Sequence, residues 1–219
     1  MIDFDSVHFS YDAKGLLKDI NFHMDDGTFV GILGPNGGGK STFLKLTLDI
    51  LKPDRGTVKV TDTNIAYLSQ NVATGEADFQ CTVEELVSLG LIRGHKLFLS
   101  RKDREKVKAC LERYGLYPLR KKLLSELSGG QLQRARVAKA LIAEPTLIVF
   151  DEPDAGMDEE SHHQLIHTIQ ELHKERKSIL FVSHHPHDVE TADAVYFIED
   201  GAMITYQEEL ERGHHHVSL

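Results

Sequence analysis

Apolar residues recur along this chain at two spacings, and the change of spacing divides it. Ile2, Phe4, Val7 and Phe9 include an alternating run, which predicts a strand with one buried face. The pair Lys14-Gly15 predicts a turn, after which Leu16 to Phe22 returns antiparallel. Residues 28–33, TFVGIL, are instead continuously apolar, as in a strand covered on both faces. From Ser41 onward, Phe43, Leu44, Leu46, Leu48 and Leu51 lie close to helical spacing, and Pro53 stops the run. The unit is strand, glycine-rich loop, helix.

Ile65 to Ser69 predicts another strand. From Val83 to about Ala143 the chain turns helical and more charged, with periodic apolar residues at Val107, Cys110, Leu111 and Tyr114. Residues 147–150 (LIVF) and 178–182 (SILFV) are again short buried strands, with a polar-faced helix from Glu159 to Arg176 between them. The expected fold class is therefore α/β: a parallel sheet preceded by an antiparallel β region and interrupted by a helical lobe.

A chain of 219 residues is at the upper end of what one hydrophobic core supports, so one domain with a distinct lobe is expected. The balance of 25 Lys and Arg against 34 Asp and Glu gives −9, which argues against a nucleic-acid surface. No run approaches the ~18 apolar residues that a membrane span requires. The start, Met1 to Asp5, is acidic where a signal peptide is basic, so neither secretion nor embedding is expected. Two cysteines, Cys81 and Cys110, are too few for a disulfide framework and fit a reducing compartment.

Gly34-Pro35-Asn36-Gly37-Gly38-Gly39-Lys40-Ser41 matches G-x-x-x-x-G-K-[ST] between a predicted strand and a predicted helix. Glycines let backbone N–H groups curl around an anion, the helix N-terminus adds partial positive charge, Lys40 suits β- and γ-phosphates, and the Ser41 hydroxyl suits Mg²⁺. At the end of the LIVF strand come Asp151, suited to the Mg²⁺ shell, and Glu152, suited to polarising an attacking water. Leu127-Ser128-Gly129-Gly130-Gln131 opens a further helix and offers a second anion cradle. One nucleotide does not need two cradles from one chain. A symmetric dimer, in which this segment closes over the partner's phosphate, resolves the excess, although a plain N-cap by Ser128 also accounts for the segment taken alone.

With these motifs in this order, the chain resembles the nucleotide-binding subunit of an ABC transporter over essentially its whole length. The resemblance implies a P-loop NTPase core of ABC ATPase type, a single domain over 1–219 with the nucleotide-binding core at 1–75 and 145–219 and the helical lobe at 76–144. It identifies Leu127 to Gln131 with the family signature, Gln70 with the Q-loop, Ala155 to Asp158 with the D-loop and His184 with the switch histidine. It implies that Tyr11 stacks on adenine, that Thr42 joins Gly34 to Ser41 at the phosphates, and that Gln70 meets Mg²⁺ beside Ser41 and Asp151. His184 would hold the γ-phosphate beside Glu152, Ser128 and Gly130 would act across a dimer, and Gly129, Gln131 and Asp158 would join them in binding nucleotide. ATP and Mg²⁺ are the implied cofactors.

The implied partners are a second copy of the chain, an integral membrane permease and, indirectly, a solute-binding protein. The implied location is the cytoplasmic face of the cell membrane. Four positions depart from the family pattern: Gly38 for alanine, Ser69 for proline, Asp154 for threonine or serine, and His185 for aspartate. None removes a catalytic group. The stretch Ala77 to Gly90 and the run Arg101 to Glu105 resemble the lobe of importers for zinc, manganese and chelated iron. The resemblance leaves open an importer of another small solute, or a soluble ABC ATPase in assembly work such as iron–sulfur cluster biogenesis. His163 and His167, four apart on a helix, and His214 to His216 have spacings able to hold a metal, but a solvated face and a frayed tail are the plainer reading.

Overall fold

The computed structural model describes residues 1–11, 15–69, 80–92, 98–153 and 157–211. The predicted turn at Lys14, Gln70, Ala77 to Phe79, Asp154 to Gly156 and His214 to His216 lie outside the described residues. The chain divides into two compact units. The first takes Met1–Ile65, Thr146–Glu152 and Ile169–Leu219; the second takes Ala66–Pro145 and Pro153–Thr168.

In the first unit, β1 (Ile2–Phe9) pairs antiparallel with β2 (Leu17–Met24) on one side and β4 (Arg55–Val60) on the other. Phe4 and Val7 are three apart, yet both are buried. Ser6, at φ 47°, makes the bulge that re-aims the strand between them. The other sheet of this unit runs in the order β6 (Leu147–Asp151), β7 (Ser178–Val182), β3 (Phe29–Leu33), β8 (Ala194–Glu199), β9 (Ala202–Thr205). Strands β3, β6 and β7 are buried at every residue, as their uninterrupted apolar runs require. The sheet is parallel except at β9, which turns back antiparallel on β8 and closes that edge.

Helix α1 (Lys40–Thr47) follows β3. It ends four residues short of the Leu51 that the apolar pattern predicts. Asp49 adopts φ 58°, and the Ile50 and Asp49 N–H groups donate to the Lys45 and Leu46 carbonyls, a Schellman cap that uncoils the last turn. The Phe43 ring stacks on Phe4 at 4.6 Å and meets Phe22 edge-on at 5.0 Å, which ties the helix, and the loop before it, to the antiparallel sheet.

Strand β5 (Ile65–Ser69) leads into the second unit, whose helices are α2 (Val83–Leu89), α3 (Arg101–Arg113) and α4 (Gly129–Leu141). Thr82, Ser100 and Ser128 cap them, each in a reciprocal capping box. Val83, Leu86, Val107, Leu111, Ala135 and Ala138 build their common core. Gly90 allows α2 to approach α4, since a Cβ there would fall 2.0 Å from the Lys139 carbonyl oxygen. Helix α5 (Glu159–Lys174) begins in the second unit and ends in the first, and α6 (Tyr206–Glu211) follows β9. No helix among the described residues is long and apolar enough to cross a membrane.

Candidate functional site

Three neighbouring parallel strands deliver the predicted chemistry at their carboxyl ends. Strand β3 runs into Gly34, β6 ends on Asp151 with Glu152 next, and β7 ends at Val182, two residues before His184. Asp151 stands opposite Val182 in the β6–β7 register, and Glu152 donates its N–H to the Val182 carbonyl at 3.0 Å. Ligands collect at this end of an open α/β sheet.

The loop between β3 and α1 is built on backbone conformations that glycine permits. Gly34 adopts φ 146°, and a Cβ there would fall 2.1 Å from the Ile198 carbonyl oxygen of β8. Gly37 and Gly39 adopt φ 82° and 112°, and Gly39 heads α1 without a side-chain cap, leaving first-turn N–H groups to a ligand. Lys40 is 4% exposed. Its Nζ donates to the Gly34 and Pro35 carbonyls at 2.8 and 3.1 Å and lies 3.4 Å from Glu152 Oε1. Ser41 is exposed at the mouth of the loop, while Thr42 is buried. Asp151 and Glu152 are both 8% exposed, and Glu152 holds φ 47°, a conformation costly for a non-glycine residue and often found at functional sites.

Tyr11 is 60% exposed and meets Phe9 edge-on at 4.9 Å, so its ring has a face open to solvent. His184 is exposed, with its ring centroid 4.1 Å from that of His185. In the second unit, Ser128 Oγ accepts from the Gln131 N–H at 3.3 Å as the N-cap of α4, and Gly129 and Gly130 form the first turn. Asp158 accepts the N–H and hydroxyl of Ser161 at 2.8 and 3.0 Å. Those two bonds, the backbone one first, hold its carboxyl below the usual range. A Cβ on Gly130 would fall 1.8 Å from Ser161 Oγ, so the first turn of α4 and the first turn of α5 touch.

Sequence reasoning missed Lys18, Glu199 and Asp200, which line a cavity of about 720 Å³ with Asn36, Gly37 and Gly38. Lys18 arrives there because its N–H donates to the Gly201 carbonyl at 2.7 Å. That pairing of β2 with the turn after β8 is tertiary and leaves no local signal. Cys110 packs in the lobe with its Sγ 3.5 Å from the Ala138 carbonyl oxygen, and burial pushes the thiol up to about 11. His163 and His167 are exposed, and no group of three or more metal-ligating side chains forms among the described residues.

The family profile described as ABC transporter matches residues 17–155. The zinc transport system ATP-binding protein AdcC of Streptococcus pneumoniae is 36% identical over 198 residues, spanning 86% of this chain and 85% of that protein. The manganese transport system ATP-binding protein MntB of Halalkalibacterium halodurans is 34% identical over 193 residues, spanning 84% of this chain and 76% of that protein. Among solved structures, cbiO1 of Clostridium perfringens, part of the ABC transporter complex cbiONQ, superposes with a TM-score of 0.82 at 26% identity, covering 96% of this chain and 90% of that one.

Proposed function

This chain belongs to the ABC transporter family, whose ATP-binding subunits hydrolyse ATP to drive transport, and from that premise we propose that it powers the import of a divalent metal ion or metal chelate. The observation that carries the ATPase reading is the meeting of Lys40 with Glu152 at the carboxyl ends of β3 and β6. ATP takes the loop from Gly34 to Thr42, and Lys40 exchanges the Gly34 and Pro35 carbonyls for β- and γ-phosphate oxygens. The Ser41 hydroxyl and Asp151 carboxylate are hard oxygen donors that fit Mg²⁺, which neutralises phosphate charge when bound. Glu152 orients a water and accepts its proton as the water oxygen bonds to the γ-phosphorus and the bond to the bridging oxygen breaks, giving ADP and phosphate.

His184 holds the γ-phosphate from the end of β7, and Tyr11 offers its open ring face to adenine. Gln70 completes the Mg²⁺ shell on the strength of the resemblance alone. Ser128 to Gln131 and Asp158 serve the nucleotide of a second copy. The partner is an integral membrane permease, fed by a solute-binding protein, to which this chain docks at the cytoplasmic face of the membrane, with no nucleic acid involved. The metal reading is supported by the similarity to zinc and manganese transport ATP-binding proteins and by the resemblance of residues 77–90 and 101–105 to the lobe of such importers.

Element analysis of cells lacking the gene, grown in metal-poor medium, tests it. Zinc, manganese or iron should fall and be restored by the wild-type gene but not by Lys40→Ala. Unchanged metal content with lost uptake of a sugar, peptide or lipid would overturn the metal reading and leave the ATPase standing.

A further inference from the structure

The turn that carries His184 is fastened at both ends to the strand that feeds the phosphate loop. At its start, Ser183 is fully buried and donates its N–H to the Ile32 carbonyl of β3 at 3.1 Å. At its far end, Val189 rests on the bare backbone of Gly31, where a Cβ would fall 2.6 Å from Val189 Cγ1. Between these anchors, the Ser183 hydroxyl donates to Asp188 Oδ2 at 2.6 Å and accepts the His185 N–H at 2.9 Å. The Asp188 N–H in turn donates to the His185 carbonyl at 3.2 Å, opening the short 3₁₀ turn Pro186–Val189.

Asp188 is only 3% exposed. A carboxylate buried to that degree is costly unless hydrogen bonds offset the loss of water, so its oxygens constrain whatever donates to them. Ser183 Oγ is one such donor, at 2.6 Å, and its own acceptance fixes the residue on the far side of His184. The backbone of His184 is thereby held on both sides while its side chain remains exposed.

We propose that Asp188, acting through Ser183, is a positioning residue for His184. The proposal rests on the reading that His184 acts at the γ-phosphate. A displacement of about 1 Å at a catalytic group costs on the order of a hundredfold in rate. Loss of the Ser183–Asp188 bond lets the turn relax and moves the imidazole, whereas the loop that follows β3, packed at Gly34 and Gly38 against the Ile198 carbonyl of β8, keeps its binding geometry.

The test is a double-mutant cycle on the full chain, reading kcat and KM for ATP hydrolysis with Mg²⁺. Asp188→Ala should lower kcat about tenfold or more with KM within about threefold. Asp188→Asn, which keeps an acceptor oxygen for Ser183, should restore kcat to within about threefold. In a His184→Ala background, Asp188→Ala should cost nothing further, because there is no imidazole left to place. If Asp188→Ala does not fold, Ser183→Ala, smaller by one oxygen, enters the same cycle. Equal losses from Asp188→Ala in both backgrounds would overturn the proposal alone. A His184→Ala chain that hydrolyses ATP at the wild-type rate would overturn the reading of His184 and the proposal with it.

Discussion

Lys40 Nζ stands 3.4 Å from Glu152 Oε1, and the two side chains are 4% and 11% exposed. The cation of the phosphate loop thus pairs with the carboxylate beside the end of β6. In a pair so shielded from water, removing one partner leaves the other uncompensated. Phosphate oxygens arriving at the loop compete with this carboxylate for Lys40. Glu152→Gln relieves the competition and deletes the proposed base while keeping the side-chain shape. Hydrolysis should slow by about 10²–10⁴, nucleotide affinity should be kept or raised, and ATP with Mg²⁺ should trap a dimer. Phosphate-release kinetics measure the rate, nucleotide titration the affinity and gel filtration the dimer; a monomeric Glu152→Gln chain hydrolysing at the wild-type rate would refute the assignment.

Glycines of the same loop are required for different reasons, and substitution separates them. At Gly34 the obstacle is the Ile198 carbonyl, 2.1 Å from a prospective Cβ, and nothing flexible can give way. Gly34→Ala should therefore abolish nucleotide binding or unfold the loop. Gly37 has no heavy atom within 4 Å of that position and is constrained only by its φ of 82°. A left-handed alanine costs roughly 1–2 kcal/mol, so Gly37→Ala should weaken ATP about fivefold to thirtyfold by fluorescent-nucleotide titration. Gly37→Asn, which tolerates that region better, should fall between alanine and wild type. Equal effects at Gly34 and Gly37 would contradict this.

Much of this was legible because the chemistry sits where local pattern is strongest. Residues 29–33, 147–151 and 178–182 are short apolar strands buried at every position, and each hands its last residue to a loop that carries a motif. Less legible was whatever depends on one segment meeting another. Strand β4 carries no fully buried residue, so its pairing with β1 has only a weak apolar signature. The pairing of β8 with β9 and the arrival of Lys18 beside the loop are likewise set by tertiary neighbours. The early end of α1 needed a left-handed Asp49, which no periodicity announces. Ser183 and Asp188 escaped notice because each alone reads as an ordinary loop residue.

On the exposed side of the antiparallel sheet, His23 lies between two carboxylates, with Nδ1 2.5 Å from Asp3 Oδ1 and Nε2 3.1 Å from Asp25 Oδ1. The hydrogen bond with Asp3, then that with Asp25, raises its pKa above the ordinary histidine value. The folded state therefore binds the proton more tightly than the unfolded one. The associated stabilisation is fully present below the unfolded pKa and disappears as pH rises through the raised folded value. Proton NMR titration of the imidazole should show the elevation, and Asp3→Asn should reduce it more than Asp25→Asn. A His23 titration unmoved by either substitution would remove the effect.

The proposed dimer divides each ATP site between two chains. Lys40 belongs to the unit built on β3, and Ser128 to the helical unit; in the proposed dimer, Ser128 serves the partner's phosphate. Lys40→Ala therefore damages the cradle of its own site, and a bulky change at Ser128 damages the lid of the other. Ser128 is the better place for the lid lesion than Gly130. A side chain at Gly130 collides with Ser161 inside its own unit, whereas Ser128→Arg loses an N-cap worth about 1 kcal/mol and projects from the start of α4. Each homodimer should be inactive, since both of its sites carry a lesion. In a mixed dimer one site carries both lesions and the other none. An equal mixture that pairs at random should regain up to about a quarter of the wild-type ATPase rate, because half the dimers are mixed and each holds one intact site. A mixture as inactive as its parents, although ATP still dimerises it, would mean that each site lies within one chain or that neither site can fire without the other.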